Sequence, residues 1–415
     1  MILNYIKIAW KVLLRHPFYT FITLFGISLT LTVLMVLTSF LDHLFGTHYP
    51  EGKRDRSLYI TRMMQMDTTQ NGRNMGPVSF NFLRDYAKTL KTPERVGIST
   101  MMGFANTYIN GKRIKLNTKY TDADFWYVTD FQFLEGKPYN EQNIANGENV
   151  VVITDDLRKQ YFEDSDGSVV GKYIDIENIK YRVIGVTKGS PATRPYTYSD
   201  VYFPYTAPKS NYQSEGLRGM YVGIVLAKDK ADIPAIQEEF NSAVSRISLP
   251  RTENGFKFHT IKVGANTYLD DFLGNFLQGE ETRRTIFFSI IGFIMLMIMG
   301  LPAINLVNVN VSRILERASE IGVRKSFGAP SRALLWQFII ENIFITFIGG
   351  LVALLLSFLI ILLINTSGWI AYADLTINFN VFAVSMGVCL VFGLLSGVLP
   401  AMRMSKMKIV DALKA

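Results

Sequence analysis

A chain of 415 residues is too long for one ordinary domain, and its 49% of apolar residues are gathered into long runs rather than spread evenly. The formal net charge of +8 collects beside those runs and forms no basic stripe on a soluble face, which argues against nucleic acid as a partner. The one cysteine, Cys389, lies inside an apolar run, so the rest of the chain has neither a disulfide framework nor thiol–metal sites.

In chain order, residues 1–16 place Ile2, Leu3, Ile6, Trp10, Leu13 and Leu14 on one helical face. Lys7, Lys11 and Arg15 fall on another, the pattern of a cytoplasmic amphipathic helix at a membrane surface. Residues 17–41 are uncharged and long enough to span a bilayer. They exceed the apolar core of a secretory signal, and no A-x-A-like site follows, so the segment reads as a retained anchor.

Residues 42–285 have ordinary globular composition. A strand is expected over 57–66, a turn-rich stretch over 68–77 and a helix over 79–90. Alternation over 106–118 predicts a hairpin turning at Asn110-Gly111. NVVVIT (149–154) reads as a buried strand, followed by a helix over 155–162 with Asp155 as its N-cap. Strands are expected over 167–177, 180–186, 200–205 and 221–226, then a helix over 233–247. The pattern is α+β, with strand-helix parts at about 55–120 and 215–265 enclosing a β-rich part at about 121–210.

Three further runs, 286–311, 334–364 and 377–401, are long and apolar, and Glu341 is the only charge among them. The fold class expected is therefore integral membrane α-helical, with four transmembrane helices. A large α+β extracytoplasmic domain is inserted between the first and second. A charged connection (312–333), a short external loop (365–376) and a tail (402–415) complete the chain.

Lys7, Lys11, Arg15, Arg313, Arg317, Arg324, Lys325, Arg332, Arg403, Lys406, Lys408 and Lys414 all flank the spans on one side. The loop on the other side has no Lys or Arg, and the large insert is nearly neutral. The positive-inside rule places both termini and the 312–333 connection in the cytoplasm and the insert outside.

Catalytic signatures are absent. No Walker A, HExxH, GxSxG or paired-cysteine pattern occurs, and Gly111-Lys112 is followed by Arg113. His43 and His48 stand where the first span leaves the membrane and read as interface residues rather than metal ligands. Asp155-Asp156 and Asp164/Asp166 read as cap and turn residues. Met63, Met64, Met66 and Met101-Met102 read as core packing, with an adaptable apolar surface as the alternative. Gly349-Gly350 interrupt the third span, and Gly393 and Gly397, with Pro400, suit close helix packing in the fourth. Glu341, about two turns into the third span, is a functional candidate by depth. Near the cytoplasmic end, a structural role as cap or interhelical partner is favoured.

Residues 313–332 differ in kind. Glu316, Glu320 and Arg324 recur every fourth residue as one polar stripe, flanked by Arg317 and Lys325. Ile314, Ile321 and Phe327 supply apolar knobs. Gly328 stops the helix, and Ala329-Pro330-Ser331 starts the next. This is a short charged helix joined directly to two spans; a solvated turn is the alternative reading.

At these residues the chain resembles a known family. ERASEIGVRKSFGA (316–329) is similar to the signature of the MacB/FtsX-type (type VII) ABC transporter permeases. GLLSGVLPAMRMSKMKIVDALKA (393–415) resembles that family's closing motif. FQFLEGKP, NVVVIT, VVGKYIDI, YRVIGV and DVYFPY resemble the MacB-type periplasmic core.

The resemblance implies that 312–333 is the coupling helix that docks on the ATPase. Glu316, Arg317, Glu320, Ile321, Gly322, Arg324, Lys325, Gly328 and Ala329 would be its contact residues. It implies that ATP and Mg are bound by a partner ATPase and that this chain is a non-catalytic membrane subunit binding no cofactor directly. It also implies a second permease, as homo- or heterodimer, and brings in a periplasmic adaptor and an outer-membrane duct as further partners. Because the first span begins 16 residues into the chain, the ATPase is expected on a separate subunit. The expected function is ATP-driven periplasmic motion (mechanotransmission) for efflux or export of an antimicrobial, peptide or lipid-like substrate. Alternatives within the resemblance are an FtsX-like permease that activates a cell-wall hydrolase or sensor, and a lipoprotein-releasing permease. The FtsX subgroup has a much smaller outer domain than this one.

Overall fold

The computed structural model describes residues 10, 11, 14, 15, 17–69, 72–162, 167–277, 282–316, 323, 327 and 331–406; of these, 301–316, 331–335, 338, 392, 393 and 395–406 are described by backbone alone. The chain divides into two compact units. One comprises Met1–Asp42, Thr285–Trp369 and Leu375–Ala415, the other His43–Arg284 together with Ile370–Asp374.

The elements in chain order begin with α1 (Pro17–Phe45), β1 (Ser57–Ile60), β2 (Met63–Asp67), β3 (Gly72–Gly76), α2 (Phe80–Phe82), β4 (Arg95–Thr100), β5 (Gly103–Ile109) and β6 (Lys112–Thr121). Next come α3 (Phe125–Val128), β7 (Phe133–Gly136), α4 (Glu141–Ala145), β8 (Val150–Thr154), α5 (Asp155–Phe162), β9 (Tyr173–Ile176), β10 (Ile179–Thr187), β11 (Val201–Pro204) and β12 (Tyr221–Leu226). Then follow α6 (Ile233–Val244), β13 (Arg251–Glu253), β14 (Phe256–Phe258), β15 (Thr260–Val263), β16 (Asn266–Thr267) and α7 (Tyr268–Leu273). The chain closes with α8 (Arg283–Glu316), α9 (Ser331–Ser367) and α10 (Phe379–Lys406).

The first unit is built from the four long helices. Among the described residues, α1, α8 and α9 contain stretches long and apolar enough to cross a membrane, and α10 contributes the shorter apolar segment Phe379–Val391. Ile27 and Leu31 of α1 meet Ala353 of α9 and Cys389 of α10 in a small buried cluster. Close approach rests on the glycine pair. A Cβ at Gly349 would lie 2.8 Å from Ile27 Cγ2 and 3.0 Å from Ile27 Cβ, a branched side chain that cannot swing away. A Cβ at Gly350 would meet the flexible end of Met386 on α10. Small residues thus bring three helices together, as lipid-embedded packing requires. Hydroxyls add polar ties: Ser39 Oγ donates to Thr376 O at 2.7 Å, and Thr32 Oγ1 to Ala353 O at 3.4 Å. Phe288, Phe293, Leu296 and Met297 of α8 stay exposed, as expected of side chains that face lipid rather than water.

The second unit is α+β. Its main sheet has eleven strands in the order β16-β1-β12-β4-β6-β11-β8-β10-β7, with β5 on β6 and β9 on β10. Pairing is antiparallel except for β6–β11 and β8–β10. The hairpin expected at Asn110-Gly111 forms, with φ of 50° and 75° at the two positions, the left-handed pair a two-residue turn needs. The sheet narrows to a single Cα pair, Ser99↔Thr121, between β4 and β6. On one side Leu58, Ile98, Tyr221, Ile236 and Phe240 form one core; on the other Val151, Ile153, Val183 and Phe203 form a second. Ala105 of β5 and Leu116 of β6 pack into the second core.

Four expectations are corrected. The strand over 57–66 breaks after Ile60, and β2 joins a separate three-stranded sheet, β15-β2-β3. β3 lies within the stretch expected to be turns, where glycines at both ends hide its pairing. The helix over 79–90 is one α-turn capped by Ser79 Oγ, continued as a π-turn that ends at Ala87. Asp155 is not the N-cap of α5; Thr154 Oγ1 accepts the Leu157 N–H at 3.3 Å, and the Asp155 carboxylate turns elsewhere.

Candidate functional site

Most of the charged connection lies outside the described residues: Arg317, Glu320, Ile321, Gly322, Arg324, Lys325, Gly328 and Ala329 all do. Glu316 is the last residue of α8. Val323 and Phe327 are described. The Phe327 N–H donates to Val323 O at 3.2 Å, one helical turn, and the Phe327 side chain is 88% exposed. Gly393, Gly397 and Pro400 fall within α10, which is described there by backbone alone.

Glu341 is buried on α9, where Gln337 Nε2 donates to its Oε1 at 3.0 Å from one turn back along the same helix. Asn342 and Thr346 are buried beside it, and Thr346 Oγ1 returns to Asn342 O at 2.8 Å. Polar groups held this way, with partners on their own helix, are what a lipid-embedded segment needs to carry an ionisable side chain.

The strongest electrostatic feature of the second unit was not visible as a motif. Glu51, Arg54 and Arg194 are all buried. Arg54 Nε donates to Glu51 Oε2 at 2.7 Å and its Nη2 donates to the same oxygen. Arg194 approaches that oxygen at 3.5 Å, and Thr197 Oγ1 donates to Oε1 at 3.0 Å. Burial pushes the Glu51 carboxyl upward, but Arg54 and Arg194 outweigh it and hold it below the usual carboxylate range.

Two guanidinium groups on one carboxylate leave an excess of positive charge. The end of α1 absorbs it. Arg54 Nη1 donates to Leu44 O at 2.5 Å, and Arg194 Nη2 to His43 O and Gly46 O at 3.3 Å each. Carbonyls at a helix C-terminus have no intrahelical donor and carry partial negative charge, so cations there are doubly favoured. Arg54 also lies 3.7 Å over the Tyr268 ring. The spacing of Glu51 and Arg54 just past the first span is the one local signal; Arg194 is 143 positions from Glu51 in sequence.

His43 and His48 stack with ring centroids 6.4 Å apart, and His43 Nε2 meets Thr193 Oγ1 at 2.9 Å. That places His43 in the same network. Of the methionines, Met63 is fully buried, whereas Met102 is 45% exposed.

Lys119 on β6 is another buried charge that sequence reasoning missed. Its ammonium donates to Thr100 O at 2.8 Å across the seam between β4 and β6. Burial pulls its pKa down to about 7 from 10.5, against a smaller opposing effect from Glu51. The unfolded chain keeps the proton to higher pH than the folded one, so stability rises as pH climbs through this window. Wild type is expected to gain roughly 2 kcal/mol between about pH 7 and pH 9, and Lys119→Met to lose that rise. Denaturation midpoints at the two pH values measure the difference; equal slopes would remove the buried ammonium from the account.

Residues 20–243 match the model of the MacB-like periplasmic core domain, and residues 292–409 match the FtsX-like permease C-terminal model. The chain belongs to the MacB/FtsX-type ABC transporter permeases. This MacB-like permease is similar to the macrolide export ATP-binding/permease protein MacB of Shewanella oneidensis, at 26% identity over 74% of the chain and 44% of the relative. It is similar to the pyoverdine export ATP-binding/permease protein PvdT of Pseudomonas fluorescens, at 24% identity over 70% of the chain and 42% of the relative. The chain therefore spans less than half the length of these curated relatives. The crystal structure of the periplasmic region of MacB from Actinobacillus actinomycetemcomitans is similar over 54% of this chain and 94% of that one, at 15% identity and a TM-score of 0.36.

Proposed function

We propose that this permease is the membrane subunit of an ABC export system and converts ATP hydrolysis by a partner ATPase into motion of its periplasmic domain. One observation carries the reading. The charged connection between α8 and α9 falls inside the FtsX-like match and carries the ERASEIGVRKSFGA signature, with Phe327 turned out to solvent. A charged, knob-bearing turn joined to two spans is suited to receive force from a soluble partner.

In this reading both termini and the connection are cytoplasmic, all four long helices span the inner membrane, and residues 42–285 lie in the periplasm. The ATPase holds ATP and Mg. Glu316, Arg317, Glu320, Ile321, Gly322, Arg324, Lys325, Gly328 and Ala329 form the docking surface. Two permeases pair, and an adaptor with an outer-membrane duct receives the cargo. The macrolide and pyoverdine names of the relatives favour export of an antimicrobial, peptide or lipid-like molecule over signalling.

A photo-crosslinking amino acid at position 327, in the full-length protein in native membranes, tests the docking. Capture of an ABC-type nucleotide-binding domain is expected. Crosslinks confined to extracytoplasmic proteins would reverse the topology and remove the proposal.

A further inference from the structure

We propose that residues 189–197 are a clasp that ties the end of α1 and the connection between α9 and α10 to one another inside the second unit. Motion of either chain connection is then felt by the other through one stiff segment. The inference rests on the permease reading for its purpose, but not for its geometry.

One side of the clasp holds α1. Arg194 donates to His43 O and Gly46 O, and Thr193 Oγ1 meets His43 Nε2 at 2.9 Å. The other side holds residues 370–374, which cluster with the periplasmic unit rather than with the helices they join. The Ala192 N–H donates to Ala371 O at 3.1 Å. The Tyr372 ring lies directly over Gly189, where a Cβ would come within 1.9 Å of it, so any other residue at 189 would displace the ring.

Beyond the ring, the Tyr372 hydroxyl donates to Asp155 Oδ1 at 3.4 Å, and the same oxygen accepts the Gly189 N–H at 3.0 Å. This is where the Asp155 carboxylate goes instead of capping α5. Tyr372 itself has φ +55°, a left-handed conformation that is strained for a bulky residue and persists only where its surroundings enforce it.

Between its two sides the segment is stiff. The Arg194 N–H donates to Pro191 O at 2.9 Å, and the N–H groups of Thr197 and Tyr198 both return to Arg194 O. Ser190 Oγ meets Thr197 Oγ1 at 2.9 Å, and Thr197 reaches Glu51. Pro191 and Pro195 fix two further φ angles. Ser190, Arg194 and Thr197 are buried. A packed turn tied by these internal hydrogen bonds moves as one piece, so it couples the groups on its two sides.

Coupling of this kind is reciprocal. In hydrogen exchange on the full-length protein in nanodiscs, Tyr372→Ala is expected to speed exchange about ten-fold at residues 43–46 as well as at 189–192. Arg194→Met is expected to speed it at 370–374. Amides of β2, in the separate three-stranded sheet, should keep their rates, which separates loosening from unfolding. Tyr372→Phe, which keeps the ring on Gly189, serves as the milder variant and should show the same pattern more weakly. Changes confined to the substituted side in both directions would overturn the clasp. No ATPase or substrate enters the measurement, so its failure is distinct from failure of the permease reading.

Discussion

Glu51→Gln is expected to destabilise the periplasmic domain by about 3–5 kcal/mol, because it leaves two guanidinium groups buried against each other with no counter-charge. The side chains of Glu51, Arg54 and Arg194 are 3%, 2% and 0% exposed, so water cannot take over the lost role. The carbonyls of His43, Leu44 and Gly46 offer only partial charge, enough to share one excess cation but not two. Replacing Arg194 with Met in the Glu51→Gln background removes one of the stranded cations and should return part of the loss, a coupling of about 0.5–3 kcal/mol.

The pH dependence carries the same sign. The folded Glu51 carboxyl lies below its unfolded value, so its contribution is complete above the unfolded value near ~4.3 and fades as pH falls through the folded one. Chemical denaturation of the purified protein measures both effects. A Glu51→Gln variant with an unchanged midpoint and an unchanged acid limb would mean that the three charges are not held together as described.

How far these features could be read beforehand depends on how local they are. The long helices are legible because lipid demands about 20 consecutive apolar residues, a signal that sits in one place in the chain. β8 and β12 are legible as short apolar runs, and the β5–β6 hairpin from alternation about Asn110-Gly111. β3 and β13–β16 are not: all are short, β3 and β13 are polar, and β15 and β16 pair with β2 and β1, far off in sequence. The Asp155 carboxylate looked like a helix cap because local spacing permits it; a tyrosine 217 positions away decides otherwise. The Glu51–Arg54–Arg194 network and Lys119 follow the same rule. A buried charge is recognised by what surrounds it, and those neighbours come from several elements. The glycines tell a similar story: Gly349 and Gly350 stand out in the sequence, but only Ile27 and Met386 show what they make room for.

Uncoupling at the charged connection is the second large effect expected. Glu320 stands at the centre of the polar stripe formed with Glu316 and Arg324, so Glu320→Lys reverses charge where a docked partner would sit. In the proposed reading Gly328 ends the coupling helix, where a branched side chain would resist the left-handed turn such a stop commonly uses. Neither position lies within a span, so both variants should reach the membrane at wild-type levels. Rim charges at protein interfaces govern register and partner choice more than folding, which is why function rather than stability should fail. A ten-fold or greater loss of coupled activity corresponds to about 1.4 kcal/mol or more of lost docking energy.

The central claim is that force enters at residues 313–332 and emerges in the periplasmic domain. It is tested most directly by spin labels at position 173, an exposed site on β9, in the reconstituted permease with its ATPase. In wild type, ATP should shift the distance between labels on paired permeases. In Glu320→Lys the shift should vanish while ATP hydrolysis persists. An undiminished ATP-driven shift in Glu320→Lys and Gly328→Leu would contradict the account.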